Sequence, residues 1–371
     1  MLIGVPKEIK NNEYRVGLVP GSVRELTVQG HQVIVQRGAG IGIGFEDIVY
    51  EQAGAKMVEN AADIFRMADM IVKVKEPQAQ ECKMLRADQI LFAYLHLAPD
   101  PEQTRLLQES GCIAIAYETV TNRQGGLPLL APMSEVAGRM SIQAGATCLE
   151  ISHGGSGILL GGVPGVAPAK VVVLGGGMAG TNAVRMAMGM GANVVVIDRS
   201  IERLNQLDLQ FGSTVNTIYS TTNSIEHHVA RADLVIGAVL VPGSSAPKLV
   251  TKEMIKKMRP GSVVVDISID QGGCFETSRP TTHQNPTYVV DGVVHYCVTN
   301  MPGAVPRTST FALNNVTLPF VLALANLGYK QAMRLDPHLL KGLNVCKGRV
   351  THPAVANALH QEYTPADAMM V

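Results

Sequence analysis

The segment Val171-Val-Val-Leu-Gly175-Gly-Gly177-Met-Ala-Gly180 constrains the fold more than any other stretch of the chain. An apolar, β-branched run reads as a buried strand, glycines spaced G-x-G-x-x-G follow at once, and the helix-like stretch Thr181–Met190 comes next. Each glycine has a chemical reason. Gly175 permits a tight turn, Gly177 lets the backbone approach a pyrophosphate, and Gly180 lets the helix close on the strand. The pyrophosphate would rest on unpaired N–H groups at a helix N-terminus. The next apolar run, Val194-Val-Val-Ile-Asp198, ends in an acid. A carboxylate there accepts hydrogen bonds from the adenine ribose hydroxyls and repels a 2′-phosphate, so NAD is expected rather than NADP. Arg199 and Arg203 follow closely and are able to neutralise a phosphate, which weakens that preference. The bland alternative is a glycine-rich turn that holds no ligand.

At 371 residues the chain exceeds what one hydrophobic core usually serves, so two domains are expected. The first 130 residues alternate strand-like and helix-like runs. The strand-like ones are Leu2–Val5, Gln32–Val35, Met70–Val74, Ile90–Leu97 and Cys112–Ala116. Between them lie helix-period stretches such as Ala61–Ala68 and Pro101–Ser110, the latter with Asp100 as N-cap and Pro101 at the first helical position. Such alternation means a parallel sheet wrapped by helices. A long helix over about Ser134–Glu150 follows, then a glycine-rich loop, His153–Pro168, read as a domain connection or mobile flap. A second alternating block starts at Lys170, with parallel neighbours at Asn193–Ile197, Leu234–Ala238 and Ser262–Ile267. After about residue 305 the pattern is helical through Leu327.

Composition excludes several classes. Lys+Arg and Asp+Glu balance at 31 each, so no basic field is available for nucleic acid. The start lacks a signal-peptide apolar region, and the late apolar stretch Leu318–Leu327 is too short for a membrane span and contains Pro319. A cytoplasmic protein follows as the expectation. The six cysteines are scattered without a C-x-x-C pair, which suggests free buried thiols and no zinc or redox motif. No ligand cluster suggests a metal; His227-His228 reads as a solvated pair beside Glu226.

Ligands of open α/β sheets bind at the carboxyl ends of the strands. In the second block these ends are Val239-Leu240, Ile267–Asp270 and Val298–Met301, and Asp270 reads either as a site carboxylate or as a cap. In the first block, Lys73 and Lys75 share a face by period-2 alternation, and Lys75 stands just before Glu76-Pro77. Tyr94 and His96 share a face at the next strand end. Arg15 sits in a polar loop, where a solvated charge is the commoner fate. A lone strand histidine is more often structural, yet Lys75 and His96 on neighbouring strand ends favour a site.

On these residues the chain resembles the bacterial alanine dehydrogenases of the alanine dehydrogenase/transhydrogenase family. The matching segments are IGVPKEIKNNEYRVGLVP, VKVKEP, LFAYLHLAPD, GLPLLAPMSEVAGRMS, GGVPGVAPAKVVVLGGGMAGTNA, DISIDQGGCFETSRPTTH and VTNMPGAVPRTST, which run along essentially the whole chain. The resemblance implies an α/β fold of two Rossmann-like, doubly wound parallel-sheet domains with the active site in the cleft between them. Residues 1–130 with 306–371 would form the substrate domain, and 131–305 the NAD domain with its connecting helix. It implies NAD-dependent oxidative deamination of L-alanine to pyruvate and ammonium by a homohexamer. It assigns the substrate carboxylate to Arg15 and Lys75, and catalysis to His96 and Asp270. Cofactor contacts would come from Ser134, Met178, Ala179, Asp198, Arg203, Ser220, Val239, Leu240, Ile267, Ser268, Ile269, Asp270, Arg279, Val298, Thr299, Asn300 and Met301, beside Gly175, Gly177 and Gly180.

Chemistry agrees with those roles. Arginine binds a carboxylate through two parallel hydrogen bonds and lysine adds a point charge. Oxidation at the α-carbon gives an iminium, water adds, and ammonia leaves; each step moves a proton near neutral pH, which suits imidazole. Three other readings stand beside this one: a transhydrogenase NAD-binding component, a dehydrogenase of a larger amino acid, and a non-enzymatic NAD-binding protein.

Overall fold

The computed structural model describes residues 1–239 and 246–370, which form two compact units: Met1–Met133 with Val305–Val371, and Ser134–Ala304. In chain order the strands are β1 Leu2–Val5, β2 Gln32–Gln36, β3 Lys56–Val58, β4 Met70–Val72, β5 Ile90–Ala93, β6 Ile113–Ala116, β7 Lys170–Leu174 and β8 Asn193–Asp198. They continue as β9 Val215–Tyr219, β10 Leu234–Gly237, β11 Val263–Asp266, β12 Thr287–Val290, β13 Val293–Tyr296, β14 Leu343–Cys346 and β15 Arg349–Val350.

The first unit carries an eight-stranded sheet in the order β15-β14-β6-β5-β4-β1-β2-β3. Strands β1 to β6 pair in parallel, while β14 and β15 add an antiparallel edge. The chain moves outward from β1 through β2 to β3, then returns to lay β4 on the other side of β1. That reversal is a topological switch point, where the crossover helices part to opposite faces and leave a crevice. One face packs Ile71, Leu91, Ala93 and Ala114 against Ile64 and Phe65 of helix Ala61–Met67 and Leu106 and Leu107 of helix Pro101–Ser110. The Asp100 side chain caps that second helix by accepting from the Gln103 N–H.

Helix Pro306–Leu335 belongs to the first unit and differs from its sequence expectation. It runs 30 residues, past Leu327, and is broken at Gly328, whose φ of 71° and ψ of 160° are not helical. By length and composition it is the one helix among the described residues that is long and apolar enough to cross a membrane, with 33% of its most apolar window buried. The expectation counted only the apolar core of this helix and left out its Ser, Thr and Asn turns. Those turns pack inward. Asn314 Oδ1 accepts from Val19 N–H and Ser22 Oγ, and its Nδ2 donates to Gly17 O.

The second unit repeats the plan, with a seven-stranded sheet in the order β12-β13-β11-β10-β7-β8-β9. All neighbours are parallel except the β12–β13 hairpin. Successive residues of β7 enter opposite cores, as strand pleating requires. Val171 and Val173 pack with Ile142, Ala183, Val184 and Ala187, while Val172 and Leu174 pack with Ile225, Val229, Met254 and Ile255. Both faces are therefore covered, and each fully buried Val contributes about 1.5–3 kcal/mol of transfer free energy. The switch point falls between β7 and β10. The glycine-rich loop His153–Pro168, expected as a domain connection or flap, lies wholly inside this unit. Leu160 anchors it in the core and Val163 bridges Val166, an apolar anchoring that composition alone did not reveal. All six cysteines are free and buried.

Candidate functional site

In the second unit the motif glycines behave as their spacing requires. Gly175 has φ of 95°, the left-handed region open to glycine. A Cβ at Gly180 would lie 1.8 Å from Gly175 O, so only glycine closes this turn on its helix. A Cβ at Gly177 would meet nothing within 4 Å. Gly177 is the N-cap of helix Met178–Gly189, and no side chain caps that terminus. Its leading N–H groups are thus presented by an open backbone with the positive end of the helix dipole behind them. This cradle fits a pyrophosphate.

Asp198 ends β8 and is part of the turn. Its Oδ2 accepts the Gly176 N–H at 2.7 Å and its Oδ1 accepts the Ser200 N–H at 2.8 Å. Each carboxylate oxygen has a second lone pair, which fits a ribose hydroxyl. Arg203, which the sequence offered as a phosphate partner, is tied into the same turn. Its Nε donates to Gly176 O at 2.6 Å, Nη2 to Thr181 Oγ1 at 2.6 Å and Nη1 to Gln206 Oε1 at 2.6 Å.

The remaining cofactor candidates of this unit gather at the carboxyl ends of its strands. Half-buried Ser220 follows β9 and donates its N–H to Asp198 O at 3.0 Å. Val239 follows β10, where Ser268 Oγ accepts its N–H at 3.0 Å and donates to its carbonyl at 2.7 Å. Leu240 lies outside the described residues. Val298, Thr299, Asn300 and Met301 follow β13; Val298 and Met301 are buried, and Asn300 has φ of 58°. Exposed Met178 and half-buried Ala179 begin the cradle helix, and half-buried Ser134 stands in the first turn of helix Ala131–Cys148. Arg279 is exposed, with its guanidinium carbon 4.2 Å from the Tyr288 ring centroid.

Asp270 lies beyond its strand, not at the strand's end. The strand ends at Asp266, and Ile267–Gln271 forms a 3-10 turn that carries buried Ser268 and Ile269 and exposes Asp270. The terminal strand carboxylate is therefore Asp266, which is buried and structural. It accepts from Ser268 N–H at 3.0 Å, Cys274 N–H at 2.9 Å and Ser278 Oγ at 2.5 Å. Burial holds its carboxyl above the usual value even against those donors. Apolar residues on both sides of Asp266 hid the strand's end from a reading of periodicity.

In the first unit, Arg15, Lys75 and His96 lie on the segments that leave β1, β4 and β5, the strands at and beside the switch point. The Arg15 segment runs directly over the end of β4, since a Cβ on Gly17 would stand 2.3 Å from Val72 O. Arg15 is not the solvated charge that is usual for a loop arginine; only 2% of it is exposed. Its Nε and Nη2 donate to the two Glu13 oxygens at 2.7 and 2.6 Å, and its Nη1 lies 3.1 Å from Met133 Sδ. Burial opposes its charge, but the Glu13 pair outweighs that and holds the guanidinium above its ordinary pKa.

Lys73 and Lys75 do not share an environment. Strand β4 stops at Val72 and the backbone bends at residues 74–75, so the alternation does not extend that far. Lys75 is half-buried. Lys73 is fully buried, with Nζ 3.0 Å from Glu8 Oε2 and 2.9 Å from Glu81 Oε1. Burial lowers its pKa, yet the two carboxylates overcome this and keep it charged.

His96 lies three residues beyond β5, at φ of 51° with its side chain exposed. Its N–H donates to Glu118 Oε1 at 2.6 Å, and its Nδ1 is 3.9 Å from the same oxygen. Its ring stacks on Tyr94, whose hydroxyl donates to Leu129 O at 2.5 Å. Sequence reading missed Glu118 and Glu13. Glu118 was within reach, being the first acid after the apolar run that ends at Ala116. Glu13 gave no signal, since pairing across one residue in a loop has no periodicity.

These two doubly wound units, one with a dinucleotide-type glycine turn backed by a strand-end aspartate, define a Rossmann-type nucleotide-binding protein. The alanine dehydrogenase/PNT N-terminal domain family matches residues 4–137, and the alanine dehydrogenase/PNT C-terminal domain family matches residues 141–353. The chain belongs to the alanine dehydrogenase/PNT family. It is 58% identical over 370 residues to an alanine dehydrogenase of Halomonas elongata, covering 100% of both chains. It is 55% identical to an alanine dehydrogenase of Methanococcus maripaludis, covering 99% of each. A solved L-alanine dehydrogenase matches with a TM-score of 0.95 at 56% identity, over 97% of this chain and 99% of that one. A solved transhydrogenase from Sinorhizobium meliloti matches with a TM-score of 0.84 at 26% identity, over 94% and 100%.

Proposed function

We propose that this protein is an NAD-dependent L-alanine dehydrogenase, interconverting L-alanine with pyruvate and ammonium. The observation that carries the reading is the placement of Arg15, Lys75 and His96 on the switch-point segments of one sheet, in a chain whose other sheet carries the glycine cradle and Asp198. Full-length identity of 55–58% to alanine dehydrogenases supports it.

The first unit binds the amino acid. Arg15 and Lys75 take its carboxylate, which fixes the position of the α-carbon. The second unit binds NAD: Gly175, Gly177, Met178, Ala179 and Gly180 cradle the pyrophosphate, Asp198 takes the adenine ribose, and Ser220, Val239, Leu240, Ile267, Ser268, Ile269, Arg279, Val298, Thr299, Asn300 and Met301 line the strand-end crevice with Ser134. Held by these residues, NAD would supply the hydride acceptor for oxidation at the α-carbon. His96 and Asp270 move the protons, one taking a proton from the amine or from water and the other stabilising or discharging the charge that develops as ammonia leaves. Glu118, through the His96 N–H, holds the imidazole segment in its left-handed backbone. No metal enters this scheme. We also assign the protein to the cytoplasm and to a homo-oligomer, hexameric by the family resemblance, which light scattering tests.

Replacing His96 or Asp270 by Ala tests the assignment. Loss of alanine turnover with NAD affinity intact supports it. Turnover within twofold of the parent in both variants contradicts it.

A further inference from the structure

A buried charge cluster in the first unit contains Arg15 and four residues that have no direct place in the chemistry above. Glu8, Glu13, Arg15, Lys73 and Glu81 are each 0–6% exposed. Three of these groups bridge the segment that leaves β1 to the segment that leaves β4. Glu8 accepts the Val74 N–H at 2.7 Å and the Lys73 ammonium at 3.0 Å, and Lys73 also donates to Glu81 at 2.9 Å. Glu81 in turn accepts the Gln78 N–H at 2.8 Å, in a capping box at the start of helix Ala79–Cys82. On the other side of Lys75, the Lys10 ammonium pairs with the Glu76 carboxylate, a second tie between the same two segments.

Lys75 is thus flanked by two cross-segment ties, at residues 73–74 and at residue 76. The partners of both ties, Glu8 and Lys10, lie on the segment that carries Arg15. Buried charges are costly to hold out of water, and replacing a well-packed apolar set by such pairs seldom adds stability. Charged hydrogen bonds do, however, fix position and direction tightly. A carboxylate held by two cations from different segments requires that spacing to within about 0.5 Å.

We propose that Glu8, Lys73 and Glu81, with the Lys10–Glu76 pair, are positioning residues that set the distance between Arg15 and Lys75, and so the affinity for the substrate carboxylate. This rests on the functional reading above. None of the five touches substrate; they act through the backbone that carries the two cations.

The test uses the full-length protein with NAD, and measures KM and kcat for L-alanine and for pyruvate, KM for NAD, and the melting temperature. Lys10→Met removes a half-buried partner and Glu8→Gln keeps the side-chain shape while removing the charge. Both are expected to raise KM for alanine and pyruvate, about 3-fold for Lys10→Met and 10-fold or more for Glu8→Gln, with KM for NAD unchanged and kcat within about 3-fold. A purely structural role would lower the melting temperature and leave KM for alanine at its parent value; that result overturns the proposal. Should Glu8→Gln fail to fold, Lys10→Met decides by itself. Parent protein without alanine turnover would instead overturn the functional reading, and this inference with it.

Discussion

The imidazole of His96 stacks on the phenol ring of Tyr94, centroids 5.9 Å apart and planes within 6°, although the His96 backbone stands in the left-handed region at φ of 51°. A non-glycine residue held at positive φ costs on the order of 1 kcal/mol unless its surroundings over-determine it. Here Glu118 does so by accepting the Leu95 and His96 N–H groups. Glu118→Gln retains an acceptor and is expected to keep most of the activity. Glu118→Ala releases the segment and should lower kcat by roughly 10–100-fold, the scale of a misplaced catalytic group. Steady-state kinetics of the two variants, with NAD affinity as the control, check this.

Gly177 and Gly180 separate binding from folding. Gly177→Ala adds a methyl that meets no protein atom within 4 Å, at a φ of −66° and a ψ of −162° just beyond the extended region that alanine favours. Its stability should stay within about 1 kcal/mol of the parent while NAD affinity falls by 10-fold or more. Gly180→Ala forces a methyl onto the Gly175 carbonyl and should lower both stability and NAD affinity. Thermal melts and NAD titrations of the pair distinguish the roles.

Arg15→Ala is a poor probe of substrate binding, because it removes the guanidinium that pairs with the buried Glu13 carboxylate, and breaking such a buried pair costs about 3–5 kcal/mol. Arg15→Lys keeps the charge and loses the fork. It is expected to fold and to raise KM for alanine by at least about 10-fold, since one bidentate pair becomes a point contact. An unchanged KM would remove Arg15 from the substrate site.

The β-strand framework and the glycine turn were legible because period, turn chemistry and strand-end acids all act over a few residues. Leu2–Val5 and Pro101–Ser110 have the limits that their patterns predict. Strands β3, β9 and the β12–β13 hairpin escaped because they are short or half-exposed, with Lys, Asn, Thr and Tyr interrupting the apolar pattern. Strand limits failed where the chain stays buried after the regular strand ends, as beyond Val72, Ala93 and Asp266. The candidate side chains could be named from the sequence, but their electrostatic partners could not. Lys73 finds Glu8 across 65 residues, a proximity set by the sheet's reversal of strand order.

His295 makes the second unit sensitive to acid. It is fully buried, its Nδ1–H donates to Val293 O at 2.9 Å, and its Nε2 accepts from Thr277 Oγ1 at 2.7 Å. Burial lowers its pKa below the ordinary value, so the unfolded chain binds the proton first. Stability from this group is therefore present above the unfolded pKa of about 6.5 and is lost as pH falls below it, at no more than about 1.4 kcal/mol per pH unit. Melting curves from pH 7.5 to 5 should show a shallower acid loss for His295→Gln than for the parent, with the difference vanishing near neutrality; parallel curves would contradict the assignment.

The most direct test of the whole account is the appearance of NADH absorbance when purified protein meets NAD and L-alanine, with NADP and D-alanine as controls. NADH is expected with NAD and L-alanine, little or none with either control, and none with His96→Ala under the same conditions. A protein that binds NAD yet reduces none of it with L-alanine would contradict the dehydrogenase reading.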